Sequence, residues 1–209
     1  MTLPSDLVEE VFAAAGRELV ILRPRDAESL LDEQAFDARD EFIPYWADLW
    51  PSAQLLARTI GARALRGRRV LELGCGLGLP SLAAAAAGGR VLATDWAPDA
   101  IEAVRVNATR NDLALDTVVA DWRAPAELVA RGPWDLVIAA DVLYERRNAA
   151  PLHALLDALA AETWLADPGR APAGLLLADL ELAGWERSTL AETRRPRVTV
   201  HRLRPGRMF

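Results

Sequence analysis

The chain has 209 residues, 52% of them hydrophobic and 26% charged, with a formal net charge of −6 and a pI near 5.1. That length suits one α/β domain with a sizeable core, and the acidic balance argues against nucleic acid as a partner. The longest apolar runs fall well short of the roughly 20 residues of a membrane span, so no membrane partner is expected. The single cysteine, Cys75, excludes an internal disulfide and suits a reducing compartment. All 24 basic residues are arginine.

The N-terminus, "MTLPSDLVEEVFAAAG", carries acids where a signal peptide has its basic region, so a cytoplasmic location is expected. Residues 1–50 are read as an N-terminal cap segment and 51–209 as the main domain. Residues 6–15 predict a short helix and "ELVILRP" a strand. The acidic stretch 26–43 then connects to "PYWADLWPSA". From Ser52 a helix is predicted to about Arg66, with Gly67 as its C-terminal stop. Beyond it strands and helices alternate. "RRVLELG" is a strand; "PSLAAAAA" is a helix with Pro80 in its first turn and Gly88 past its end. "RVLATD" is a strand and "APDAIEAVRVNATRND" a helix opened by Pro98. "DTVVAD" and "WDLVIAAD" are strands, followed by the helix "NAAPLHALLDALAA". "ETWLADPGR" is a fifth strand and "APAGLLLADLELAG" a helix. "WERSTLAE" and "RVTVHRL" read as a terminal hairpin with one antiparallel strand, its turn at Arg194-Arg195-Pro196-Arg197 solvated.

Such alternation implies a parallel sheet with right-handed crossovers and helices on both faces. Ligands of a doubly wound sheet bind outside the carboxyl ends of its strands, and the candidate residues collect there. Gly74, Gly76 and Gly78 lie between a strand and a helix, where glycine permits sharp turns and close approach of a ligand. Their spacing is Gly-x-Gly-x-Gly and differs from the dinucleotide fingerprint. Glu72, Asp95 and Asp121 fall at the ends of three successive strands. One such acid is most often a solvated loop carboxylate; three behind a glycine loop point to a nucleoside-bearing ligand. Asp95 is placed to accept from two ribose hydroxyls, Asp121 from an adenine amino group, and Trp96 offers an aromatic face.

The fourth strand of this series ends in "DVLYE". Leu136 to Ala140 reads as buried, and Asp141 and Tyr144 lie just past its carboxyl end. Taken alone they are divided between loop filler and the working edge of an active site. Tyr45 and Trp46 are equally divided between pocket wall and core staple. His153 and His201 are isolated and read as structural, and with one cysteine they predict no metal site. Trp134, Trp164 and Trp185 read as packing residues.

Glu72-x-Gly74-x-Gly76-x-Gly78, followed by Asp95 and Asp121-Trp122, resembles the class I S-adenosylmethionine-dependent methyltransferases. "PYWADLWPSAQLLA", "DVLYE" and "ADPGR" are similar to the seven-strand protein-lysine methyltransferases, most of all the electron-transfer-flavoprotein β-subunit lysine methyltransferase and nicotinamide N-methyltransferase-like group. The resemblance implies a doubly wound, Rossmann-like, mostly parallel seven-stranded α/β sheet with a C-terminal hairpin. It implies S-adenosylmethionine as cofactor, held by Trp50, Glu72, Gly74, Cys75, Gly76, Gly78, Asp95, Trp96, Asp121, Trp122 and Ala140. Asp141 and Tyr144 would be catalytic, with Tyr45, Trp46 and Glu145 around the acceptor. The expected reaction is methyl transfer to an amine, foremost a lysine of a protein partner. Alternatives are a small-molecule N-methyltransferase, a nicotinamide-dependent oxidoreductase, and a non-catalytic cofactor-binding module.

Overall fold

A computed structural model of the chain describes residues 6–27, 30 and 44–206. Most of the acidic connector 26–43 therefore lies outside the described residues. β1 (Leu7–Ala14) and β2 (Arg17–Pro24) form an antiparallel hairpin, so the helix expected at 6–15 is a strand. Its alanines and glutamates favour helix, but the residues alternate: Phe12 and Ala14 are buried while Val11 and Ala13 face outward. Ala15 and Gly16 both take positive φ, the two-residue turn whose twist matches flanking strands. Pairing with β2 and burial of Phe12 outweigh a weak local preference.

α1 (Pro51–Gly61) also stops earlier than expected, well before Arg66. Gly61 abuts the hairpin turn so closely that a Cβ there would lie 2.3 Å from the Ala15 nitrogen. The chain then bends, and Leu65 is buried with its N–H donating to the Ala87 carbonyl at 3.0 Å.

The main sheet has seven strands: β3 (Arg69–Leu73), β4 (Arg90–Asp95), β5 (Asp116–Val119), β6 (Leu136–Ala140), β7 (Thr163–Asp167), β8 (Glu186–Arg194) and β9 (Arg197–Arg204). They lie in the order β5-β4-β3-β6-β7-β9-β8. β3 through β7 run parallel, β9 lies antiparallel to β7, and β8 closes the hairpin. The fold is thus the doubly wound, mostly parallel α/β sheet expected. α2 (Leu79–Ala86), α3 (Pro98–Arg110), α5 (Ala149–Leu159) and α6 (Ala171–Leu182) match the predicted helices. α4 (Ala126–Ala130) was not expected, because five residues are too few to show a helical period.

Successive residues of each central strand feed opposite cores, which is why these strands read as unbroken apolar runs. Val70, Ile138 and Ala166 pack with α1, α2 and the N-terminal hairpin. Leu71, Val137 and Leu165 pack with α4, α5 and α6. Trp164 and Trp185 are buried, as expected of packing residues, and Trp134 packs against the same core as α4. Glu162 ties the start of β7 to β9 through Arg202 and Arg204 at 2.8 and 2.9 Å. The outer edge of β2 is sealed by two asparagines spaced one turn apart. The Asn111 amide accepts from Val20 N–H at 2.8 Å and donates to Val20 O at 2.7 Å. Asn107 does the same for Leu22 at 2.7 and 3.2 Å. No described helix is long and apolar enough to cross a membrane.

Candidate active site

From β3 the chain winds outward through β4 and β5, then returns to place β6 on the other side of β3. This switch point opens a crevice beyond the carboxyl ends of β3 and β6, and a cleft of about 580 Å³ lies there. Every residue singled out as a site candidate lines it. Glu72, Gly74, Cys75, Gly76 and Gly78 come from β3 and its loop, Asp95 and Trp96 from β4, and Asp121 and Trp122 from the segment after β5. Ala140, Asp141, Tyr144 and Glu145 follow β6, while Tyr45, Trp46 and Trp50 arrive from the turn ahead of α1.

The glycine loop is shaped by what crowds it. Gly74 has a φ of 66°, and a Cβ on it would sit 2.8 Å from the Val142 side chain. Gly76 has a φ of 50° with the Trp46 carbonyl 3.2 Å from where its Cβ would be, so β3's loop and the turn before α1 meet backbone to backbone. Cys75 is buried in this loop, and burial together with Asp95 and Glu72 pushes its thiol well up. It is a small filler with no ready thiolate.

Asp95 is 6% exposed and accepts from the N–H groups of Gly76 and Ala97, both at 3.0 Å, one on each oxygen. Each oxygen keeps a further lone pair for a ligand hydroxyl. Burial nonetheless raises its carboxyl above the ordinary range. Glu72 is almost wholly buried; burial pushes its carboxyl up to about 8, although the Ser81 hydroxyl donates to it. Neighbouring acids add to the effect of burial at Glu72 and Cys75, so both hold their protons near neutral pH. Asp121 is different: it is largely solvated and held by Arg123, whose side chain keeps its carboxyl below the usual value. Trp96 and Trp122 line the cleft, Trp96 with 48% of its surface exposed and its indole beside the Tyr144 hydroxyl.

At the other end, Asp141 leaves β6 with a φ of 56° while its N–H still bonds the Ala166 carbonyl at 2.9 Å. Aspartate is one of the few residues that tolerate this conformation. Its side chain is 5% exposed, and Oδ1 accepts from Arg170 Nε at 2.5 Å. Ser52 Oγ stands 3.4 Å from Oδ2, long for a hydroxyl bond. Neither partner was anticipated. "ADPGR" was read only as a strand ending, yet Asp167 Oδ1 accepts from Gly169 N–H and Arg170 N–H at 2.6 and 2.7 Å and so turns Arg170 toward the cleft.

Aromatic rings cover this end. Tyr45 and Tyr144 have centroids 4.7 Å apart, and Trp50 lies 6.2 Å from Tyr45 with its Nε1 donating to the Tyr45 carbonyl at 2.7 Å. Burial, then Asp95 and Glu145, push the Tyr144 phenol up to about 12, so it remains protonated near neutral pH. Glu145 pairs with Arg147 at the rim.

A crevice built from a glycine loop and strand-end acids at the switch point of a seven-stranded sheet with an antiparallel hairpin is the class I methyltransferase arrangement. Solved structures agree on the fold. The Thermus thermophilus 16S rRNA N2 G1207 methyltransferase superposes with a TM-score of 0.68 at 17% identity, over 99% of this chain and 52% of its own. Ribosomal protein L11 methylase from Lactobacillus delbrueckii subsp. bulgaricus gives 0.56 at 19% identity, over 74% and 78%. Residues 45–164, more than half of the chain, match the family described as lysine methyltransferase, and the chain belongs to that family. It is 36% identical over 135 residues to the electron transfer flavoprotein beta subunit lysine methyltransferase of Danio rerio, 61% of this chain and 51% of the relative. The human protein of that name is 34% identical over 134 residues, covering 61% and 50%. Histone-arginine methyltransferase METTL23 of Homo sapiens is 34% identical over 103 residues, covering 46% and 54%. The chain spans about half the length of these relatives.

Proposed function

We propose that the protein transfers a methyl group from S-adenosylmethionine to an amine nitrogen, the side chain of a lysine in a protein partner. Family membership supports the reaction, and the relatives named as protein-lysine methyltransferases support the acceptor. The observation that carries the reading is that the Asp141 carboxylate shares one cleft with the Tyr45–Tyr144 pair, Asp95 and the glycine loop. A cytoplasmic location and a capping role for residues 1–50 belong to the same proposal.

The cofactor, when bound, supplies an electrophilic methyl group on a sulfonium. Asp95 takes the ribose hydroxyls on its remaining lone pairs, Asp121 meets the adenine amino group, and Trp96 and Trp122 flank the ring. Glu72, Gly74, Cys75, Gly76, Gly78, Ala140 and Trp50 shape the methionine end. The remaining task is to present the acceptor. A lysine with a reference pKa of about 10.4 must lose its proton before attack. Tyr45, Trp46 and Tyr144 desolvate it and tolerate its charge on entry, with Glu145 at the rim. Asp141 Oδ2 accepts a hydrogen bond from the amine and aims its lone pair. The proton leaves to water as the lysine enters, and Asp141 orients the neutral amine.

Incubation of the purified protein with tritiated S-adenosylmethionine and cell lysate tests this. Label in a protein band is expected. Label confined to small molecules overturns the protein acceptor. Calorimetry showing tight NAD binding and no S-adenosylmethionine binding overturns the methyltransferase reading.

A further inference from the structure

We propose that Arg170 is a positioning residue for methyl transfer: by occupying one oxygen of Asp141 it leaves a single oxygen to aim the acceptor, and its charge offsets the carboxylate that would otherwise hold the amine protonated. The inference rests on the amine-methylating reading above and assigns a role to a residue which that mechanism does not use.

A carboxylate beside an amine does two opposing things. It aligns the nucleophile through a hydrogen bond, and it stabilises the ammonium, the form that cannot attack. A bare Asp141 would do both. In the cleft it is not bare: Arg170 Nε lies 2.5 Å from Oδ1 of a side chain only 5% exposed. The Arg170 charge opposes that of Asp141, which weakens the carboxylate's pull on an approaching amine toward its protonated form. Geometry is kept as charge is offset, because among the described residues Oδ2 has the distant Ser52 hydroxyl at 3.4 Å and retains capacity for the acceptor.

Arg170 is itself built in. It is the residue that precedes α6, and its N–H is fixed on Asp167 Oδ1 at 2.7 Å. A guanidinium also suits the task better than a lysine would, since it stays charged at any pH the enzyme meets and bonds the carboxylate in a fixed direction. The groups facing the pair come from every surrounding element. Ser52 comes from α1, Tyr45 from the turn ahead of it and Asp167 from the end of β7, while Tyr144 and Glu145 from the segment after β6 line the same cleft. Arg147 and Arg123 line the cleft too, held by Glu145 and Asp121; among the described residues Arg170 is the cation bonded to Asp141.

The pH dependence of kcat/KM reads this directly, using tritiated S-adenosylmethionine and the lysate protein that accepts label, once purified. Arg170→Ala leaves Asp141 uncompensated, so the acidic limb of the profile moves up by about one pH unit. Activity then falls roughly tenfold near neutral pH and recovers in alkaline buffer. Arg170→Lys restores a cation, and its limb returns toward the wild-type position. In an Asp141→Asn background the limb starts lower, because the carboxylate charge is gone, and Arg170→Ala moves it up by a similar amount, since the two charges act on the amine additively. A loss by one factor at every pH, with the acidic limb unmoved, overturns the inference. Arg170→Met keeps the apolar stem and carries the same comparison should the alanine variant not fold. Wild-type protein that labels no acceptor defeats the amine-transfer reading itself; an active wild type with an unshifted Arg170→Ala profile defeats this inference alone.

Discussion

Asp141 holds a left-handed backbone conformation at the point where β6 ends, with an arginine on one carboxylate oxygen. Strain of this kind persists where surrounding contacts over-determine it, and it gathers at functional sites. Asp141→Asn keeps the shape and an oxygen for Arg170 but loses the charge and the defined acceptor. Turnover should fall about a hundredfold, while calorimetry finds S-adenosylmethionine affinity little changed; near-normal turnover would remove Asp141 from the mechanism. Glu72 yields a second prediction. Unfolded, it releases its proton near 4.5, but folded only near 8. Between those values the folded state binds the extra proton, so stability falls with rising pH by up to about 1.4 kcal/mol per unit. Below 4.5 there is no loss. Glu72→Gln removes that slope, so without cofactor its Tm should exceed the wild-type Tm above pH 8 and match it at pH 4 or lower. Parallel Tm curves for the two proteins would contradict the buried, protonated state. At this scale the strand-end acids and the glycine loop were legible, because their positions follow from where each strand stops. Arg170 and Ser52 were not, since they meet Asp141 across 29 and 89 positions and no local pattern records such a pairing.

Among the elements, the central strands were legible for a physical reason. Burial on two faces leaves Leu136 to Ala140 and Val70 to Leu73 with little polar interruption, and the flanking helices carry proline starts and glycine stops. The N-terminal hairpin was not, because "LVEEVFAA" satisfies helical propensity and strand alternation alike, and only pairing with β2 decides between them. What anchors that hairpin is equally remote. Asn107 and Asn111, both buried on α3 and its end, stand in for a neighbouring strand along β2. Replacing either by alanine strands backbone groups of Val20 or Leu22, at a cost of about 1–3 kcal/mol. Urea unfolding should show that loss for each variant; a change below about half a kcal/mol would mean that water replaces the amide without penalty.

For the whole molecule, strand order decides where chemistry can occur. The return of β6 to the far side of β3 brings the Gly74–Gly78 loop, Asp95, Asp121 and Asp141 to one rim, and a single cleft collects them. The proposed methyl transfer rests on membership of the lysine methyltransferase family, and Tyr45 and Tyr144 share the cleft with Asp141. Relatives named for lysine and for arginine methylation both match this chain, so the position of the transferred group on the acceptor is what the proposal most exposes to test. The decisive measurement is mass spectrometry of the protein labelled in the lysate, digested after reaction with deuterated-methyl S-adenosylmethionine. Deuterated methyl groups on the Nε of a lysine are predicted. Their presence on arginine instead, or on no protein residue at all, would contradict the account.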